Sequence, residues 1–129
     1  MKKIFITLVL LIYATLSYSE EISFYSNFMS YKVLKDSVWQ DWSDWKEFHI
    51  EITLNTDSNT ITLHSKNSEK VFKIDPLFRK IEDDNSITIL YTVLKSENNC
   101  LGIRFRIQRD GVKQVYIDYE DIVYAYNLI

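Results

Sequence analysis

The chain has 129 residues, with 18 acidic and 15 basic side chains, a formal charge of −3 and one cysteine. It carries no cationic surplus with which to displace phosphate counterions, which argues against nucleic acid as a partner. A single thiol closes no internal disulfide and completes no two-cysteine metal motif, so stability has to come from apolar burial, for which 47% hydrophobic and 15% aromatic residues are an ample supply.

Residues 1–19 read as an address. Lys2 and Lys3 form a short positive region, Ile4 to Tyr13 an apolar core, and Ala14 to Ser19 a small-residue segment with Ser17 and Ser19 where a signal peptidase requires small side chains. The apolar core is shorter than the ~20 residues needed to span a bilayer, so cleavage rather than a retained anchor is expected. No cysteine follows the core to accept a lipid. Cleavage removes two lysines and no acid, which takes the formal charge from −3 to −5. The expected product is one β-rich domain, residues 20–129, exported to the periplasm or the outside of the cell with no stable membrane anchor. Two glycines, one proline and many Ile, Asn and Lys residues fit an AT-rich bacterial genome.

The remaining chain alternates polar and apolar residues along most of its length, the signature of half-buried strands. Ile22 to Leu34 is expected to form a first strand or two. Phe24 and Phe28 are set against Tyr25, Met29, Tyr31 and Val33, so both faces are apolar and both are expected to be covered. Phe48, Ile50, Ile52 and Leu54 share a face, Asn55 to Asn59 is turn chemistry, and Ile61 and Leu63 resume the alternation. A polar turn over Lys66 to Lys70 leads to a short strand with Phe72 and Ile74 inward, ended by Asp75-Pro76. Leu77 to Asn85 is expected to be an acidic connection with room for a helical turn. Ile87 to Val93 and Leu101 to Ile107 are the clearest strands. Arg109-Asp110-Gly111 is a tight hairpin, and Val115 to Tyr119 and Ile122 to Ile129 follow.

Face matching pairs Phe105 with Ile117, Arg104 with Asp118 and Arg106 with Tyr116 across a loop at Asp110-Gly111-Val112. These elements predict an all-β fold, an antiparallel meander of about seven or eight strands forming a small sandwich or barrel.

Trp39, Trp42 and Trp45 recur at every third position. The spacing looks like the Trp ladder of thrombospondin type 1 repeats, but those need several disulfides, and no family assignment follows. The rings could stack on sugars or anchor a protein partner, or plug one end of the β core. Arg104 and Arg106 project together from one strand, either to clamp a carboxylate in a barrel lumen or, for Arg104, to pair with Asp118. His49, Glu51 and His64 lie on the polar face of one hairpin, too few to complete a zinc site. Asn55-x-Asp57-x-Asn59 imitates a calcium loop but has Thr60 and Lys66 where glycine and glutamate are required. Cys100 is expected to be a buried, inert thiol.

No Ser-His-Asp ordering or Gly-rich phosphate loop is present. The leading expectation is a non-enzymatic exported binding or interaction protein, without cofactor or metal, that contacts an unknown protein, glycan or small apolar ligand through Trp39, Trp42, Trp45 and neighbouring loops. The alternative is a lipocalin-like carrier of a small apolar ligand, with Arg104 and Arg106 meeting its head group. An enzyme built on His49, Glu51 and His64 ranks third.

Overall fold

Where apolar residues recur at every second position the chain is extended. A computed structural model describes residues 21–94 and 99–129, and the expected signal segment 1–19 lies outside these residues. Ten strands occur among the described residues: β1 (Glu21–Lys35), β2 (Val38–Trp39), β3 (Lys46–Asn55), β4 (Thr60–Ser65), β5 (Ser68–Lys73), β6 (Arg79–Glu82), β7 (Ser86–Thr92), β8 (Cys100–Gln108), β9 (Lys113–Tyr119) and β10 (Ile122–Leu128). They form one antiparallel sheet curled into a half-barrel, in the order β5-β4-β3-β1-β10-β9-β8-β7-β6, with β2 paired to the end of β1. The fold is thus all-β, and one continuous sheet replaces the sandwich alternative.

The topology explains the curl. Two meanders, β3-β4-β5 and β6-β7-β8-β9-β10, flank β1, which pairs with β3 along one edge and with β10 along the other. In a flat sheet β5 and β6 would lie eight strand spacings apart, about 38 Å at ~4.8 Å each. The link between Lys73 and Arg79 can reach only about 22 Å when fully extended. The sheet must therefore curl, and its two margins are joined at an isolated bridge between Ile74 and Val93. There the Asp75 N–H donates to the Thr92 carbonyl at 3.0 Å and the Leu94 N–H to the Lys73 carbonyl at 2.8 Å.

Curling separates two unlike faces. Ile52, Ile61, Ile103, Val115 and Ile117 are fully buried in the single large core on the concave side. The ladder runs Met29–Tyr126–Val115–Phe105–Ile89 across five strands in register. Phe24, Phe105 and Tyr91 continue it with ring centroids 5.3 and 6.0 Å apart. A smaller cluster of Tyr116, Val123 and Ala125 lies on the convex side.

Several expectations are corrected in detail. Phe105 faces Val115, not Ile117, and Arg104 faces Tyr116, a slip of two residues that leaves every side chain on its expected face. The slip arises because the loop is Arg109-Asp110-Gly111, as its turn chemistry indicates, and not the Asp110-Gly111-Val112 that face matching assumed. Gly111 takes φ +94°, and the Gln108 N–H donates to the Val112 carbonyl at 2.8 Å. The segment after Pro76 holds a strand, β6, rather than a helical turn, because Arg79 to Glu82 can pair with the free edge of β7. Phe24 and Phe28 do not share a face: the register shifts between Ser26 and Phe28, turning Phe28 outward beside Asn127 while Met29, Tyr31 and Val33 point inward.

Ile117 is fully buried at the centre of the curl. Ile117→Ala is expected to lower unfolding free energy by about 2–5 kcal/mol, whereas Val112→Ala in the exposed hairpin loop stays within about 0.5 kcal/mol. Urea denaturation of both variants checks the difference.

Candidate functional site

The tryptophan segment is the second arm of a hairpin that begins with β1. Lys35 pairs with Val38 across Asp36 and Ser37, whose φ values of 52° and 64° make a two-residue turn matched to the strand twist. Register across the hairpin is kept at Leu34–Trp39 and again at Met29–Lys46. Between these pairs the second arm holds two residues more than β1 and cannot stay in the ladder. It bulges as a strap over the convex face.

Irregular backbone bonds and serine side chains replace the missing rungs. The Gln40 N–H donates to the Val33 carbonyl at 2.9 Å and the Ser43 N–H to the Tyr31 carbonyl at 2.7 Å. Ser43 Oγ accepts from the Tyr31 N–H at 3.0 Å, and buried Ser30 donates its hydroxyl to the Ser43 carbonyl at 2.7 Å.

This backbone holds the indoles on the convex face. Trp39, Trp42 and Trp45 remain 41%, 43% and 45% exposed, so they do not plug the end of the core. Trp42 packs on Tyr116 with centroids 6.1 Å apart, and Lys32 places its ammonium 5.4 Å from Trp39 and 5.0 Å from Trp42. A groove of about 210 Å³ runs between strap and sheet, lined by Ser30, Trp42, Trp45, Gln114, Tyr116 and Ala125.

Both arginines share this face. Arg104 donates to Asp118 through Nε at 2.6 Å and Nη2 at 2.8 Å, and its guanidinium lies 4.5 Å from the Tyr116 ring centre. The ion pair forms diagonally, since Asp118 faces Gly102. Being partly solvated, it contributes at most about 1 kcal/mol. Arg106 stands opposite Gln114, and Tyr116 donates its hydroxyl to Gln114 Oε1 at 2.6 Å. Strand alternation directs Arg104 and Arg106 away from the concave core, and Arg106 also borders a small apolar cavity of about 80 Å³ lined by Phe24, Tyr91 and Phe105.

The concave side has its own opening, a cavity of about 280 Å³ beneath the β4–β5 hairpin. Ile50, Leu63, Ile117, Tyr119 and Tyr126 line it as buried residues. Phe48, Ser65, Ser68 and Lys70 line it from more exposed positions.

The histidines do not converge. His49 pairs with Asn27 at 2.8 Å and Glu47 at 3.1 Å, His64 stands opposite Glu51, and Glu51 accepts from Ser23 at 3.2 Å. Among the described residues no group of three or more His, Cys, Asp or Glu is placed to hold a metal ion. Asn55 Oδ1 accepts the Asp57 and Ser58 N–H groups, both at 3.0 Å, so the calcium-like sequence closes a turn.

Cys100 is buried at the start of β8, and burial pushes its thiol up to about 11. Burial likewise raises Tyr119 to about 12 and Tyr126 further.

Lys32, Ser43, Tyr116 and Lys70 escaped sequence reading. Lys32 and Tyr116 sit at the outward positions of strands whose inward residues were recognised, so the same alternation marks them once the convex face is known to be used. No protein-family model matches the chain, and no curated protein is detectably similar to it.

Two measurements check this geometry. Acrylamide should quench the emission of the native protein nearly as well as that of the urea-unfolded chain, since all three indoles are more than two-fifths exposed. Stability should be flat up to pH 9 and then fall: the unfolded thiol and phenol ionise from 9.0 and 10.0, while the fold holds Cys100 and Tyr119 neutral to about 11 and about 12. Urea midpoints between pH 7 and 12 should show this, and Cys100→Ala should delay the onset of the fall towards pH 10.

Proposed function

We propose that the protein is a non-enzymatic, exported binding protein that engages a protein partner through the convex face. The supporting observation is convergence. Trp39, Trp42, Trp45, Arg104 and Arg106 occupy one face, with three indoles each more than 40% exposed on a backbone pinned by Ser30 and Ser43.

Trp, Tyr and Arg are the residues that dominate protein-interface energetics. Here the aromatic centre is bordered by polar Gln114, Asn127 and Asp118, the pattern of an apolar patch within a polar rim. A strap already ordered in the free protein loses little conformational entropy on association. The acidic net charge disfavours an anionic lipid surface. The sequence of residues 1–19 supports export.

The test compares wild type with the triple variant Trp39→Ala, Trp42→Ala and Trp45→Ala, its fold checked by circular dichroism. Both are offered to the exported protein fraction of the source culture and to a glycan array. The expected result is that a partner retained by wild type binds the variant at least about thirtyfold more weakly, the ~2 kcal/mol of an interface hot spot. Equal recovery of the same partners contradicts the reading, and Trp-dependent capture of glycans alone would reassign the surface to sugar.

A further inference from the structure

The concave cavity supports an inference separate from the convex surface. We infer that the cavity beneath the β4–β5 hairpin binds a small single-chain carboxylate, its apolar body against Ile50, Leu63 and Ile117 and its head group at Lys70.

Four observations point there. First, the cavity has buried apolar residues on one side and Ser65, Ser68 and Lys70 at its exposed margin, which is an amphiphilic lining. Second, at about 280 Å³ it lies just below the usual range for small-molecule sites, which selects a slender ligand. Third, Lys70 is in step with Phe72 on β5 and with Ile74 just beyond it, so a cation occupies the concave side where alternation puts buried side chains. Among the described residues it is the only charged one lining the cavity, and its ammonium lies 5.8 Å from the Tyr119 ring centre. Fourth, Tyr119, Tyr124 and Tyr126 also line the cavity. A tyrosine is neutral at pH 7, so these phenols are able to donate to a carboxylate oxygen.

A carboxylate at Lys70 would gain a charge-assisted hydrogen bond at the mouth, where one oxygen still meets water. Its chain would displace water from an apolar lining. Neither Arg104 nor Arg106, the arginines expected from sequence to meet such a head group, lines this cavity.

Calorimetric titration with hexanoate, octanoate and decanoate tests the inference. Affinity should rise about fourfold per added CH₂, equivalent to ~0.8 kcal/mol, and level off once the cavity is full. Lys70→Gln should weaken octanoate about tenfold yet leave 1-octanol unchanged. Lys73→Gln, which alters the neighbouring outward lysine, should change neither. The triple Trp→Ala variant should bind octanoate as wild type does, so failure of one proposal does not carry the other with it.

No binding of any acid at millimolar concentration would overturn the inference. So would indifference to Lys70→Gln, which would leave that lysine only the role of blunting an edge strand. Loss of binding in the Trp variant would place the ligand on the convex face. Phosphatidylglycerol vesicles should not compete with octanoate, and competition by them would overturn the assignment to a free carboxylate.

Discussion

The short link between β5 and β6 is the constraint on which the rest of the molecule depends. Neighbours in sequence, these strands end the sheet on opposite sides, and a handful of residues has to join them. A flat sheet puts them out of reach. The margins must meet, the sheet must curl, and its two faces become unequal. The concave face is enclosed and takes the isoleucine core. The convex face is left to water, and the chain covers only part of it.

That partial cover comes from β1. Its fifteen residues outlast the pairing available from β3, so the far end needs another partner on that edge. The hairpin arm carrying β2 supplies it, but with two residues too many, and the surplus lifts the strap out of the ladder. Ser43 then offers its hydroxyl to the Tyr31 amide where a regular strand would offer a carbonyl. The indoles are held against the convex face while keeping over two-fifths of their surface exposed. Lys32, between Trp39 and Trp42, covers part of the ring faces and would have to share or yield them when a partner arrives.

Side-chain alternation was legible in the sequence because a half-buried strand writes its faces at period two. Ile50, Ile52, Leu54, Ile61, Leu63, Val115 and Ile117 are all buried as their parity requires. Parity survives a slip of two residues, which is why the faces of β8 and β9 were right while Phe105 was matched with Ile117 instead of Val115. The Arg104–Asp118 pair forms all the same, because a long guanidinium reaches diagonally. Curvature was not legible, since it depends on which strands end as neighbours. Without it the Trp segment could equally be a plug, and Arg104 and Arg106 could equally line a lumen. Lys70 looked like turn chemistry because the turn at Ser65 to Ser68 is tighter than the polar run around it.

The two faces support separable roles, an aromatic docking surface outside and a small amphiphile site inside, and both require the margins to meet. Ile74 and Val93 form a non-hydrogen-bonded antiparallel pair, a geometry that brings their Cα atoms to about 4.5 Å. The most direct test is therefore a nuclear Overhauser experiment on the labelled protein. A strong Hα–Hα cross-peak between Ile74 and Val93, with slowly exchanging amides at Asp75 and Leu94, is the expected result. Absence of that cross-peak, with fast exchange at both amides, would mean an open sheet and would contradict the division into enclosed and exposed faces.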